Sequence, residues 1–241
     1  GITVRHLLTH TSGLPDYDAD VPEGTPQLTD ADVLAFVRRQ PTGLFAPGAQ
    51  YRYSNTGYAL LALIVEAAGG QPFPAFLKAR IFKPLGMKNT VAHVEGRDKV
   101  KRRAYGHSRA PGGWKVDDQS PTSAVLGDGG IYSNLEDLAR WVRALDSCRL
   151  LDCKTLEQSW TTARLNDGTP VNYGFGWRLE TRDGQPVISH TGETRGFRNA
   201  LLRYPRKGLA VIVLTNRNEG RPADTAARVA LEAGQVRPDL P

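Results

Sequence analysis

Hydrophobic residues along the chain follow two periods, and the change from one to the other falls near residue 165. Up to that point apolar positions recur three and four apart. Thr29-Asp30-Ala31-Asp32 has the form of a capping box, and Val33, Phe36 and Val37 behind it share one helical face. Residues 55–68 are a longer apolar stretch ending at Gly69-Gly70, which predicts a helix stopped by glycine. A shorter helix is expected over 74–82. Ser133-Asn134-Leu135-Glu136 reads as a second capping box, opening the helix that carries Leu138, Trp141, Val142 and Leu145.

After Asp167 the pattern becomes that of strands. Residues 173–180, 186–190, 198–204 and 209–215 are strand-like runs separated by turn residues. The last is apolar on both faces, as a central strand covered by helices is. A helix over 224–234 closes the chain. Antiparallel strands on short turns, with helices elsewhere, predict an α+β layered fold. Residues 1–241 are expected to form a single domain, with a mainly helical lobe over about 1–165 and a sheet with its closing helix over about 166–235. Ile2-Thr3-Val4-Arg5-His6 leads straight into a helical segment, so a sheet drawn only from the C-terminal end reads as incomplete. Strands preceding Gly1 are expected.

Composition narrows the class. The chain has 241 residues, 40% hydrophobic and 23% charged, which excludes disordered and fibrous proteins. No stretch approaches the ~18 uninterrupted apolar residues of a membrane span. The longest apolar run, Leu209 to Leu214, suits a buried strand. No basic-then-apolar leader opens the chain, so an export signal is upstream or absent. The net charge of +6 owes part of its excess to Lys99-Val100-Lys101-Arg102-Arg103. That cluster lacks the aromatic interleaving or module of a nucleic-acid binder, and a solvated loop is expected. Cys148 and Cys153 are spaced for a small loop closure or stand as two free thiols.

Three short segments are candidates for chemistry. His6 and His10 are four apart, a spacing that puts both on one helical face, as in metalloprotease zinc sites. Those sites need a Glu after the first His, and Leu7 stands there, so structural histidines and no metal are expected. Tyr53-Ser54-Asn55 sits at a loop-to-helix junction. It is either a turn with an N-cap Asn or a base and an amide donor turned into one cleft. His190-Thr191-Gly192 ends a predicted strand, where an imidazole and a hydroxyl beside a glycine suit one wall of an active site.

The order of these segments along the chain carries more than any one of them. Ile2-Thr3-Val4-Arg5-His6-Leu7-Leu8-Thr9-His10-Thr11-Ser12-Gly13-Leu14 closely resembles a segment of the serine β-lactamase-like family. That family includes class C β-lactamases, D-alanyl-D-alanine carboxypeptidases of the Streptomyces type, D-aminopeptidases and related esterases. Phe45-Ala46-Pro47-Gly48 with Tyr53-Ser54-Asn55-Thr56-Gly57-Tyr58 resembles its second motif and flanks. Pro84-Leu85-Gly86-Met87, Gly129-Gly130-Ile131-Tyr132-Ser133, Tyr173-Gly174-Phe175-Gly176-Trp177, His190-Thr191-Gly192 with Gly196-Phe197, and Leu214-Thr215-Asn216 follow in the family's order.

The resemblance implies a β-lactamase/transpeptidase-like fold, with an antiparallel sheet flanked by helices. It also implies a serine hydrolase that cleaves amide or ester bonds through an acyl-enzyme. Family members acylate a serine in Ser-x-x-Lys. None of Ser12, Ser54, Ser108, Ser120, Ser123, Ser133, Ser147, Ser159 and Ser189 has Lys three residues later. In the family that motif precedes the segment matching Ile2 to Leu14. The expectation is therefore an N-terminally truncated chain, lacking the nucleophile helix and first strands and inactive by itself. The alternative is a non-catalytic penicillin- or peptidoglycan-binding sensor of the same fold.

By the same resemblance Tyr53 is the general base and acid, Asn55 holds the lysine and the substrate amide, and Thr191 contacts the substrate beside His190 and Gly192. The Glu193 N–H is one oxyanion donor. Apart from the resemblance, Arg195 and Arg198 read either as surface residues or as a carboxylate clamp. His190 stands where many β-lactamases have Lys, and an imidazole with a pKa near ~6.5 is largely neutral at pH 7. That favours a carboxypeptidase, D-aminopeptidase or esterase over an efficient β-lactamase. The implied partner is a small molecule or peptide: a β-lactam, a D-amino-acid peptide or an ester. No cofactor, nucleic acid or membrane span is expected, and the family's habit is periplasmic or secreted.

Overall fold

Local capping chemistry sets several helix boundaries in the computed structural model, which describes residues 1–235. The short helix α1 (Val4–Leu8) is capped by Thr3, and α2 (Asp30–Arg38) by Thr29, whose side chain and that of Asp32 bond each other's backbone N–H. Helix α3 (Asn55–Gly69) ends on Gly70 in the left-handed region, at φ 64°. Next come α4 (Phe73–Leu77), a wider turn over Lys78–Phe82, and α5 (Lys83–Leu85). The small strands β1 (Val91–Ala92), β2 (His107–Ala110), β3 (Gly113–Val116) and β4 (Ile131–Tyr132) follow. Then come α6 (Leu135–Asp146), α7 (Cys153–Glu157), β5 (Ala163–Arg164) and β6 (Pro170–Val171). Strands β7 (Arg178–Arg182), β8 (Gln185–Thr194), β9 (Phe197–Tyr204) and β10 (Leu209–Thr215) lead to the closing helix α8 (Pro222–Gln235).

The chain divides into two units, and the division differs from the one read off the sequence. The first unit is Gly1–Arg103 with Gln119–Gly176. The second is Ala104–Asp118 with the described residues from Trp177 onward. Sequence periodicity assigned 104–118 to the helical lobe. Instead the β2–β3 hairpin belongs with the sheet, because the His107 N–H donates to the carbonyls of Gly196 and Asn216, and the Gly196 N–H donates to that of Asp117. A Cβ on Gly196 would run into the main chain of Gly106, His107 and Asp117, so only glycine permits this approach.

Within the first unit, Tyr17, Val33, Ala59 and Val125 form one core cluster, with α2 laid against α3. A second gathers Phe82, Leu85, Met87 and Ala144, with Trp141 of α6 packed on it. Cys148 and Cys153 are joined in a disulfide that ties the end of α6 to the start of α7. Of the two readings that the sequence left open, loop closure is the one the structure has.

Within the second unit the sheet order is β10-β9-β8-β7, all antiparallel. Its buried face, Val187, Ala200, Leu202 and Val211, packs on Ala226 and Ala230 of α8. Strand β10 was read as central because both faces are apolar, yet among the described strands it stands at the end of this sheet. Apolar faces report cover above and below a strand and carry no information on lateral place. Three further corrections are local. Residues 173–177 lie outside the strand predicted over 173–180, which begins only at Arg178. Helix α6 is capped by Asn134, bonded to the Asp137 N–H, rather than by Ser133. His10 lies beyond α1 in a left-handed conformation, φ 55°, so it shares no helical face with His6.

Candidate active site

In the first unit the second motif is built by the approach of the Thr9–Leu14 segment to the start of α3. Ser54 is the N-cap residue of α3 but makes no side-chain cap bond. The carboxylate of Asp16 does that work, accepting the Thr56 N–H at 3.1 Å and the Ser54 hydroxyl at 3.2 Å. An anion at a helix N-terminus also meets the positive end of the helix dipole. Burial, with Asp18 beside it, raises the Asp16 pKa from its usual 3.8. Ser54 is buried and held by these bonds. Asn55 is therefore not the N-cap, the plainer of its two sequence readings. It sits one residue into the helix, and its amide donates to Asp18 at 2.9 Å.

Tyr53 lies just before the cap and keeps 37% of its surface exposed. Its ring rests 4.2 Å from that of His10, centroid to centroid. The same imidazole meets Tyr173 at 4.7 Å and Tyr58 at 5.2 Å. The Tyr58 hydroxyl donates to the Leu8 carbonyl at 2.8 Å. Burial pushes the phenols of Tyr58 and Tyr173 above the usual tyrosine range, which keeps both protonated. His10, Asp16 and Asp18 were not among the residues that the sequence assigned to the second motif. The sequence signals for His10 were its spacing from His6, which pointed to a different arrangement, and its place in the family-like segment Ile2 to Leu14, which assigned it no role.

A buried acid lies elsewhere in the same unit. Asp128 accepts the Tyr17 hydroxyl at 2.7 Å, and its pKa is pushed up to about 8. Burial is the main cause, and the carboxylates of Asp30, Asp18 and Asp16 add to it against the opposing Tyr17 bond. The unfolded value is 3.8, so between these pH values the folded chain holds a proton that the unfolded chain has lost. This group therefore favours folding most below about pH 4, and its contribution is lost as pH rises through about 8. Asp128→Asn keeps an acceptor for Tyr17 and removes the titration. It is expected to stabilise the protein at pH 9 by about 1 kcal/mol or more, with little change at pH 4. Urea unfolding at the two pH values reads this directly, and an equal shift at both would contradict it.

In the second unit the third motif occupies the outer half of β8. The register closes on Thr194↔Phe197 around a turn of Arg195 and Gly196. The closing pair of a two-residue hairpin is hydrogen-bonded, and bonded pairs then alternate along the ladder. The N–H groups of Thr191 and Glu193 consequently point away from β9. On that side β7 ends its pairing at Arg178↔Ser189, so the two N–H groups lie beyond its last register pair. Gly192 is exposed, and a Cβ there would meet nothing within 4 Å.

His190 Nδ1 lies 2.7 Å from the Thr191 carbonyl, which can only accept, so Nδ1 carries the proton and the neutral ring holds its lone pair on Nε2. Burial lowers the His190 pKa from 6.5, with Arg178 adding to the effect against the Thr191 bond, and the ring is neutral at pH 7. The two arginines offered as a carboxylate clamp are engaged within their own unit. Arg198 pairs with Glu193 at 3.1 Å and donates to the carbonyls of Arg195 and Phe197. Arg195, in the left-handed region at φ 37°, faces Asp117 at 3.7 Å. Among the described residues no group of His, Cys, Asp and Glu is arranged to hold a metal ion.

Comparison with known proteins identifies the family of the chain. Residues 1–235 match the family model described as beta-lactamase. A penicillin-binding protein of Bacillus subtilis is 32% identical over 96% of this chain and 55% of its own length. A D-aminopeptidase of Brucella canis is 30% identical over 99% of the chain and 46% of its own. The chain thus spans about half the length of the curated relatives it matches. Among solved structures, D-amino acid amidase from Ochrobactrum anthropi SV3 superposes with a TM-score of 0.80 at 26% identity, over 96% of this chain and 72% of that one. A penicillin-binding protein homologue from Pyrococcus abyssi gives 0.78 at 26%, over 97% and 56%. Family match, relatives and fold agree: the chain belongs to the beta-lactamase family and has its β-lactamase/transpeptidase-like fold.

Proposed function

We propose that this chain is the part of a serine hydrolase that supplies every catalytic group except the nucleophile and its lysine. The reaction is acyl transfer from an amide or ester to a serine, followed by hydrolysis. Tyr53 takes the serine proton and returns it to the leaving amine or alcohol. Asn55 orients the lysine and the substrate amide, Thr191 contacts the substrate, and the Glu193 N–H is an oxyanion donor. The absence of Ser-x-x-Lys from the 241 residues supports placing the nucleophile outside them.

The substrate reading rests on one observation, the neutral His190 at the position where many β-lactamases carry Lys. A neutral ring offers no charge to a substrate carboxylate, and Arg195 and Arg198 are already engaged. This supports D-amino-acid amides, peptides or esters over β-lactams, in keeping with relatives named D-aminopeptidase and D-amino acid amidase. The test uses intact mass after exposure to a fluorescent penicillin and to p-nitrophenyl acetate. The 241-residue chain is expected to form no adduct, and a longer chain bearing Ser-x-x-Lys to be acylated. That longer chain should turn over D-phenylalanine amide faster than nitrocefin. An adduct on the 241 residues, or preference for nitrocefin, would refute the corresponding half of the proposal.

A further inference from the structure

The geometry points to His10 as the positioning residue of Tyr53, an inference that rests on Tyr53 being the proton carrier. His10 grips the chain on both sides of that tyrosine. Its carbonyl accepts the Arg52 N–H at 2.9 Å, and its Nδ1 accepts the Ser54 N–H at 3.2 Å. A backbone N–H is a donor, so Nδ1 is the acceptor and the imidazole is fixed in the tautomer protonated on Nε2. The ring then lies at 4.2 Å from Tyr53 and tilted by 36°, covering one side of it.

The residue itself is held. His10 is 2% exposed, and its left-handed φ of 55° is a conformation that non-glycine side chains adopt at a cost. The chain also pins it from either side, with Thr11 donating its N–H to the His6 carbonyl and accepting that of Gly48. A buried, conformationally costly imidazole with both main chain and side chain spent on residues 52 and 54 leaves Tyr53 little freedom to move. Zinc ligation, the use suggested by the spacing from His6, is not available to this arrangement. His6 turns its own Nδ1 to the Thr3 N–H.

Two substitutions separate the acceptor from the ring. His10→Asn places an amide oxygen close to the Nδ1 position and tolerates the left-handed backbone. His10→Phe keeps an aromatic ring and removes the acceptor. In the 241-residue chain, the Ser54 amide is expected to exchange about tenfold faster in His10→Phe and to stay near wild type in His10→Asn. The fluorine resonance of 3-fluorotyrosine at position 53, identified by its loss in Tyr53→Phe, should shift in the first variant and return in the second. Wild-type exchange and an unmoved resonance in His10→Phe would overturn the assignment. Should His10→Phe fail to fold, a long-range proton–nitrogen spectrum of the unaltered protein decides, since a proton found on Nδ1 contradicts the tautomer. In the full-length protein, kcat for p-nitrophenyl acetate should fall about tenfold in His10→Phe with KM nearly constant, and recover in His10→Asn. If His10→Phe displaces Tyr53 while Tyr53→Phe turns over normally, the proton-carrier reading fails and the positioning role of His10 stands.

Discussion

Asp137→Ala is expected to destabilise the protein by about 2–3 kcal/mol, the upper part of the cost of stranding buried hydrogen-bonding groups. Asp137 is fully buried on the first turn of α6. Its carboxylate accepts the Asn89 N–H at 2.7 Å and the Thr90 hydroxyl at 2.9 Å, and meets Arg140 at 2.6 Å. One side chain thereby fastens the stretch leading into β1 to the start of α6. Alanine would leave the Asn89 amide without its acceptor. Thr90 would keep only its bond to Ser133. Arg140→Ala separates the anchor from the ion pair, because Arg140 is half exposed and its loss should cost no more than about 1 kcal/mol. Urea unfolding of the two variants measures the contrast. A similar small loss for both would show that water replaces the carboxylate and that the anchor is dispensable.

Asp137 also marks where the sequence was readable and where it was not. Apolar spacing placed a helix over this segment, and Leu138, Trp141, Val142 and Leu145 lie on α6. An acid in the first turn reads as a solvent-facing partner of the helix dipole, and nothing in its spacing says that it points inward. The cap slipped by one residue for a related reason, since Ser133 spends its hydroxyl on Thr90 and leaves Asn134 to bond Asp137. Strand periodicity found β9 and β10 closely, with β10 over Leu209–Thr215 as expected, but it ended β8 at His190, four residues before Thr194. It missed the two-residue pairs β1–β4 and β5–β6, which are too short to show any period. The β2–β3 hairpin was not read from the sequence, and its residues fell within the expected helical lobe, because bonds to Gly196 and Asn216, about a hundred residues away, decide its place.

The motifs were legible as landmarks, while their support was not. Tyr53 and Asn55 are visible as a pair, yet the carboxylates that cap and orient that junction, Asp16 and Asp18, come from a loop almost forty residues earlier. The imidazole of His10 was visible as half of a spurious helical pair and within the family-like segment Ile2 to Leu14, neither of which gave it a role. A two-residue turn reversed that reading by taking His10 out of the helix at φ 55°. In the third motif the sequence supplied the neutral His190. The bond from its Nδ1 to the Thr191 carbonyl, which sets the tautomer, required the folded strand.

On the role proposed for Tyr53, Tyr53→Phe carries the largest expected effect on activity, a fall of about 10²–10⁴-fold in kcat of the longer chain bearing Ser-x-x-Lys, the range of a lost general base. The substitution is well suited to isolate that role. Phenylalanine keeps the ring that lies 4.2 Å from His10, and the site is 37% exposed, so stability should change by less than about 0.5 kcal/mol. Loss of proton transfer should lower the rate of acylation and leave KM for an ester substrate nearly unchanged. An activated ester should suffer less than an amide, because a good leaving group needs little help from the returned proton. Single-turnover acylation by p-nitrophenyl acetate and by D-phenylalanine p-nitroanilide therefore gives two numbers whose ratio tests the mechanism. If both rates survive the substitution, proton transfer belongs to another group. The neutral His190, with its lone pair on Nε2, becomes the next side chain to remove.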